Sequence, residues 1–441
     1  MKFRLILLTS LLIVLSVAGG FAQPYISYLT GDSADVVATP AGGVCMMGGA
    51  TENDQASRWF LNRCAGGDIL VLRTTGTDGY NSYFYSLPGT SVHSVETIVC
   101  TSAAASYDPY VLSRIRNAEG IWFAGGDQWQ YISYWRNTPL DSTVRAVIAN
   151  RQTVIGGTSA GMAILGEYYY TAQNSSILSA EALNNPYSIN ATLSNALFIS
   201  HPLLEGVITD THFDNPDRRG RLMAFLARIL KDDGRVVTGI ACEEYSAACV
   251  DTDGKITLYG EYPQYDDHVW FARAACGIAD SVPENCTEGN PLRWYRGGHA
   301  VDVYKGNADS SGNSYFLQST YESFGSFEAL SWIAELGILT EVPASGIPCT
   351  PMWTESEAVE DMRLLLSPQP SGDFLNVTCG EKILHYTLTD MSGRILMQGK
   401  TNGVQSLTLQ TVGIPSGMYV FSAGTIGSVK SRLCVIQQSE Q

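Results

Sequence analysis

The sequence predicts an α/β domain with a mostly parallel sheet flanked by helices, followed by a small C-terminal antiparallel β-sandwich. Between about Val44 and Tyr321, short continuous apolar runs alternate with helix-length amphipathic stretches, as expected of strands buried on both faces beneath helices. Near Thr340 this pattern stops at a breaker-rich stretch holding Pro343, Gly346, Pro348 and Pro351,. Beyond it, short β-rich runs are joined by Gly, Asn and Ser, which reads as a separate module.

The strands of the first domain are expected at Gly43–Met47, Asp68–Leu72, Thr97–Cys100, Gly120–Ala124, Thr153–Gly156 and Val236–Ile240. Tyr110–Asn117, Leu140–Asn150 and Arg218–Leu230 carry the apolar spacing of helices that cover such a sheet,. In the module, strands are expected at Phe374–Val377, Leu384–Thr389, Arg394–Gln398, Ser406–Leu409, Met418–Ala423 and Ser428–Ile436. The expected boundaries are a signal segment at 1–22, a first domain at 23–342 with its core at about 40–260, a linker at 343–366 and the module at 367–441.

Lys2 and Arg4 precede an apolar run from Leu5 to Val17, and Gly20 and Ala22 supply small side chains for cleavage after Ala22,. That run is too short to span a bilayer, so a removable export signal is the expectation. With 27 Lys+Arg against 43 Asp+Glu and a net charge of −16, the chain lacks the cationic surface that nucleic-acid binding requires. Export makes the 10 cysteines disulfide candidates,. Cys242 with Cys249 and Cys276 with Cys286 are the close pairs. No C-x-x-C pair or Cys/His cluster argues for zinc.

Gly157-Thr158-Ser159-Ala160-Gly161 matches G-x-S-x-G between an expected strand and Met162-Ala-Ile-Leu, which can start a helix. A nucleophile elbow needs this context: a sharp turn lifts the serine to a helix N-terminus, where backbone N–H groups stabilise negative charge. A Gly-rich turn with an idle serine is the other reading. The serine also needs a base, and the chain has 6 histidines,. His212 lies in Ile208–Arg221, a charged segment at an expected strand end before a helix, where open α/β sheets place their sites. Asp210, His212, Asp214 and Asp217 would also suit a divalent cation, but the following arginines oppose one, so no metal and no cofactor is expected.

Gly125-Gly126-Asp127-Gln128, Gly156–Gly161 (GGTSAG) and Asp210–Arg221, in that order, resemble the cyanophycinase and aspartyl dipeptidase family of serine peptidases over about residues 40–260. The resemblance implies a fold like that of class I glutamine amidotransferases, with serine in place of cysteine. It also implies hydrolysis of peptide or isopeptide bonds next to acidic residues through an acyl-enzyme. Carried onto this chain, it makes Ser159 the nucleophile, His212 the general base and Glu181 the orienting acid, with Glu167 the alternative acid. Backbone N–H groups of Gly126 or Asp127 and of Ala160 would form the oxyanion hole, and Gln128, Asp210, Arg219 and Arg221 would hold the aspartyl part of the substrate.

The chain departs from the family's pattern at Thr211, where cyanophycinases carry Gln, and at Ala224, where a third arginine is expected. Glu243 and Glu244 resemble a downstream acidic pair of the family, read either as contacts to a basic substrate group or as surface residues. Ser367-Pro-Gln-Pro, Leu388-Thr-Asp-Met-Ser-Gly-Arg, Gly417-Met-Tyr-Val-Phe and Lys430–Ile436 resemble the C-terminal sorting domain of type IX secretion. This implies the type IX machinery as partner and a secreted or surface location reached through the periplasm. Cys379 and Cys434 lie on the expected first and last strands and are candidates to pair. The rival to a secreted hydrolase is a surface adhesion protein on a retired hydrolase fold, and a homodimer is left open. Amidotransfer would call for cysteine at the elbow, where Ser159 stands.

Overall fold

The computed structural model describes residues 23–276, 278, 280–344, 364–367, 373–390, 394–425 and 429–436. The expected signal segment and residues 345–363 of the expected linker lie outside the described residues. The chain divides into two units, Met1–Met352 and Trp353–Gln441.

In the first unit, β1 (Tyr25–Gly31) and β2 (Val44–Met47) are followed by α1 (Asp54–Arg63), β3 (Asp68–Arg73) and α2 (Gly79–Ser86). Next come β4 (Ser94–Cys100), α3 (Pro109–Asn117), β5 (Gly120–Phe123), α4 (Gln128–Trp135), α5 (Pro139–Arg151), β6 (Val154–Thr158) and the short α6 (Ala160–Ala163). Asn53, Asp108 and Asp127 cap α1, α3 and α4 by accepting first-turn backbone N–H groups, each cap worth about 1 kcal/mol. Pro109 and Pro139 open α3 and α5, where a missing N–H costs nothing,. The strands β2, β5 and β6 are buried along their whole length, which is why they read as unbroken apolar runs.

The rest of the unit runs through β7 (Tyr169–Tyr170), α7 (Ser179–Asn184), β8 (Leu193–Ser194), β9 (Val207–Asp210), α8 (Arg219–Asp233), β10 (Thr238–Cys242), β11 (Ala247–Val250) and β12 (Lys255–Tyr259). It closes with β13 (His268–Ala274), β14 (Val301–Asn307), β15 (Tyr315–Leu317), β16 (Glu322–Phe324), β17 (Phe327–Glu335) and β18 (Ile338–Pro343). Ten strands form one sheet in the order β1-β4-β3-β5-β6-β2-β11-β12-β15-β16. Its middle, β4-β3-β5-β6-β2, is parallel.

The expected mostly parallel sheet therefore holds only for that middle. β1 is antiparallel to β4, and β11, β12, β15 and β16 extend the other side antiparallel. Between β11 and β12 the cause is local: Asp251-Thr-Asp-Gly254 is a tight turn, with the Gly254 N–H on the Asp251 carbonyl at 2.9 Å, and a tight turn can only join antiparallel strands. The expected strand at Val236–Ile240 is β10, and it lies in a second, six-stranded sheet ordered β18-β17-β14-β13-β10-β9. There only β9 and β10 are parallel.

Two of the expected disulfides are absent. Cys242 and Cys249 are free, buried thiols on different sheets. Cys276 is disulfide-bonded, whereas Cys286 is a free thiol and so is not its partner.

His201 sits just before a short turn of 3-10 helix (Pro202–Leu204), with Nδ1 accepting the Leu203 N–H at 3.1 Å. Burial lowers its pKa from 6.5 to about 4. Below about pH 6.5 the unfolded chain takes up a proton that the folded chain refuses until about pH 4. Stability is therefore full above that window and falls by about 3 kcal/mol as pH drops through it. Urea midpoints at pH 7, 5 and 4 are expected to fall less steeply in His201→Gln than in the wild type; parallel slopes would count against this assignment.

The second unit is a five-stranded antiparallel sheet of β19 (Leu364–Ser367), β20 (Phe374–Asp390), β21 (Ile395–Gln410), β22 (Gly417–Gly424) and β23 (Val429–Ile436). The expected short strands are fused in pairs: β20 and β21 each run through what composition reads as a break, with register shifts at the joins. Leu375, Val377, Leu388 and Phe421 form its core. Cys379 and Cys434, on β20 and β23, are free buried thiols, so the expected pairing is not formed.

Candidate active site

The parallel pairing of β2 with β6, and of β9 with β10, brings four strand ends together. Ser159 follows β6, the turn Gly48-Gly49 follows β2, His212 follows β9, and Glu243-Glu244 follows β10. Backbone bonds join these ends. Ser159 N–H donates to Met47 O at 3.1 Å, His212 N–H to Gly48 O at 2.9 Å, and Tyr245 N–H to Gly49 O at 3.2 Å.

Ser159 has φ 52° and ψ −119°, a conformation that costs a non-glycine residue about 1–3 kcal/mol. The surroundings impose it, because a side chain at Gly161 would come within 1.9 Å of the Phe123 carbonyl oxygen. The turn thus fits against β5 only with glycine there, and this lifts Ser159 out of the strand line. Gly49 does similar service below His212: a Cβ at Gly49 would lie 2.4 Å from the imidazole Cε1 and Nε2.

The result is a relay. Ser159 Oγ lies 2.8 Å from His212 Nε2, across 53 positions of sequence. His212 Nδ1 lies 2.6 Å from Glu244 Oε1. A carboxylate only accepts, so Nδ1 carries the proton and Nε2 presents its lone pair to the serine hydroxyl. Glu244 is itself held, since Asn215 Nδ2 donates to Oε2 at 3.3 Å and the Glu244 N–H donates to Asp214 Oδ1 at 2.9 Å. Such an arrangement activates a serine for attack on a carbonyl.

Glu181, the acid expected from sequence, is elsewhere. It lies on α7 and accepts from Ser188 Oγ at 2.6 Å and Asn190 Nδ2 at 3.0 Å. The alternative, Glu167, pairs with Arg235 and accepts the Gly206 N–H at 2.6 Å. The residue that meets His212 is Glu244, because β10 leaves the second sheet beside β9. Its neighbour Glu243 points the other way into the core, accepting from His268 N–H and Trp270 Nε1 at 2.8 Å each. The signal was a pair of acids directly after a strand: alternation sends one inward and leaves the other at the strand-end cleft.

The loop expected to supply oxyanion donors passes beside Ser159, with a Cβ at Gly125 placed 3.6 Å from the Ser159 Cβ. Gly126 and Asp127 follow, and the Asp127 carboxylate caps α4. Ala160 is the first residue of α6, where backbone N–H groups lack an intrahelical acceptor.

The expected substrate-binding side chains are engaged within the protein. Gln128 Nε2 donates to the Tyr170 carbonyl at 2.6 Å. Asp210 and Arg221 form a bidentate pair, each at most 4% exposed, with Arg221 Nε donating to Oδ2 at 2.9 Å. Neither is open to a ligand, because a pair this buried satisfies its own charges. Arg219 donates to Asp217 at 2.6 Å and to Glu341 at 3.1 Å.

Sequence reasoning missed Arg218. Its Nη1 donates to the carbonyl of Thr211, next to His212, at 2.7 Å, while its buried Nε has no hydrogen-bond partner. Burial lowers its pKa to about 10, opposed in part by Asp210 and Glu244, and its guanidinium makes no ion pair among the described residues. Glu244 also lines an acidic cavity of about 810 Å³, whose wall includes Glu52, Asp54, Asp214, Glu261 and Asp266.

Residues 79–253 match the model of peptidase family S51, and residues 366–437 match a secretion system C-terminal sorting domain. A cyanophycinase of Synechococcus elongatus is 28% identical over 169 residues, 38% of this chain and 48% of that protein. A cyanophycinase of Trichormus variabilis is 28% identical over 151 residues, 34% and 45% of the two chains. The chain spans about half the length of the curated relatives it matches. A crystal structure of a peptidase from an acI-B1 Actinobacterium overlaps 54% of this chain and 96% of its own at 14% identity, with a TM-score of 0.37, too slight a likeness to argue from.

Proposed function

We propose that this chain is an exported serine peptidase that cleaves peptide or isopeptide bonds next to acidic residues through an acyl-enzyme on Ser159. The observation that carries the reading is the relay from Ser159 through His212 to Glu244. Ser159 Oγ attacks the carbonyl carbon while His212 Nε2 takes its proton; Glu244 holds the resulting imidazolium. The oxyanion is received by the N–H of Ala160 and of Gly126 or Asp127, each donor worth about 2.7–4 kcal/mol in the transition state. His212 returns the proton to the leaving amine. Water then repeats the sequence on the ester, releasing the acid product.

Preference for an acidic residue is supported by Arg218. An unpaired guanidinium beside the base-bearing loop is costly unless a carboxylate arrives to meet it. The acidic cavity that Glu244 lines supports a basic group on the other side of the scissile bond,. The second unit serves as an address read by the type IX secretion machinery, in keeping with the sorting-domain match.

The test is a screen of the mature protein against α- and β-linked aspartyl dipeptides, neutral dipeptides and cyanophycin, repeated with Arg218→Ala. Loss of one charge-assisted contact is expected to lower kcat/KM for aspartyl substrates about 10- to 100-fold, mainly through KM. Neutral substrates are expected to be turned over poorly by both proteins. An Arg218→Ala variant that keeps the wild-type preference would overturn the role given to Arg218.

A further inference from the structure

Cys45 on β2 and Cys249 on β11 are register partners across the antiparallel junction of the first sheet. Their sulfurs lie 3.7 Å apart, and both residues are fully buried. Register partners of an antiparallel pair have Cα atoms about 4.5–5.5 Å apart, inside the range a disulfide spans. The third sulfur nearby, Cys242, belongs to the other sheet and faces the Met46 carbonyl at 3.8 Å. The chain already holds a disulfide at Cys276 and carries a sorting module for export, so it matures where thiols are oxidised.

We propose that Cys45 and Cys249 close a cross-strand disulfide in the exported protein. The bond would fasten β2, which ends in the Gly48-Gly49 turn under His212, to β11, which begins shortly after Glu244. It would thereby set the spacing between the two supports of the imidazole. The inference rests on export and not on the proposed peptidase chemistry.

The reaction is thiol–disulfide exchange with a dithiol oxidase of the cell envelope, through a mixed disulfide. Both S–H bonds are lost, one S–S bond forms, two protons leave, and two electrons reduce the oxidase disulfide to a dithiol. Burial raises the Cys249 pKa well above its usual value, and a suppressed thiolate exchanges slowly. The bond therefore forms before the sheet closes over it, while the chain is still folding.

The test is to purify the full chain from its exported fraction, denature it without reductant, alkylate it with N-ethylmaleimide and map its peptides by mass spectrometry. A linked peptide holding Cys45 and Cys249, lighter by two hydrogens than the sum of its parts, is expected, and it should persist in Cys242→Ser. Recovery of both cysteines alkylated, or of Cys45 linked to Cys242, overturns the proposal. An intact disulfide at Cys276 in the same digest then shows that export was not what failed.

Discussion

Ser159→Ala is expected to fold normally and to lose about 10⁶-fold in kcat against any substrate the wild type cleaves. Alanine at this position meets the same backbone demand as serine, φ 52°, because both carry a Cβ and differ only in the hydroxyl. The variant loses the bond to His212 Nε2 and no packing, so its unfolding midpoint should stay near that of the wild type. The loss in rate is large because a triad acts as a unit: without the nucleophile, the base and its acid have nothing to activate, and only the oxyanion donors still act. A fluorophosphonate probe supplies an independent reading. It should label the wild type and leave Ser159→Ala unlabelled. Labelling that survives the substitution would put the nucleophile elsewhere, and a folded wild type that takes no label would favour the adhesion reading.

Glu244→Gln is expected to lower kcat about 10⁴-fold with little change in KM. The carboxylate accepts from His212 Nδ1 and so fixes the proton on that nitrogen. Glutamine can turn its amide N–H₂ toward the ring, which places the imidazole proton on Nε2 and leaves no lone pair for the Ser159 hydroxyl. Glutamine also removes the negative charge that stabilises the imidazolium during attack. Glu181→Gln provides the contrast, because that carboxylate, on α7, accepts from Ser188 and Asn190 in the following loop; its turnover is expected to stay within a few-fold of the wild type. Turnover that collapses in Glu181→Gln and survives in Glu244→Gln would reverse the assignment.

These two acids mark how far the sequence reading reached. Ser159, the proposed nucleophile, is legible because its context is local: glycines, strand and helix all fall within a few positions of it. His212 is legible almost as well, since it stands at the end of a strand and before a basic helix. The acid has no such neighbourhood. Glu181 follows the elbow in the expected chain order, but the segment carrying it packs as α7 against α8, away from the imidazole. The arginines fail for a related reason. Arg218, Arg219 and Arg221 are adjacent in sequence, and helical geometry aims each at different surroundings: Arg221 into a buried pair with Asp210, Arg219 outward to Asp217 and Glu341, Arg218 back toward the catalytic loop.

The sequence by itself determined what depends on periodicity and short-range turns: the parallel run of strands, the elbow at Ser159 and the change to a β module. Tertiary structure alone decided which strand ends meet. β11 paired antiparallel with β2, and β10 joined β9 in a second sheet, so Glu244 came to His212 and Cys249 came to face Cys45. Contacts across so many residues depend on how two sheets are assembled, and no local preference of the chain encodes that.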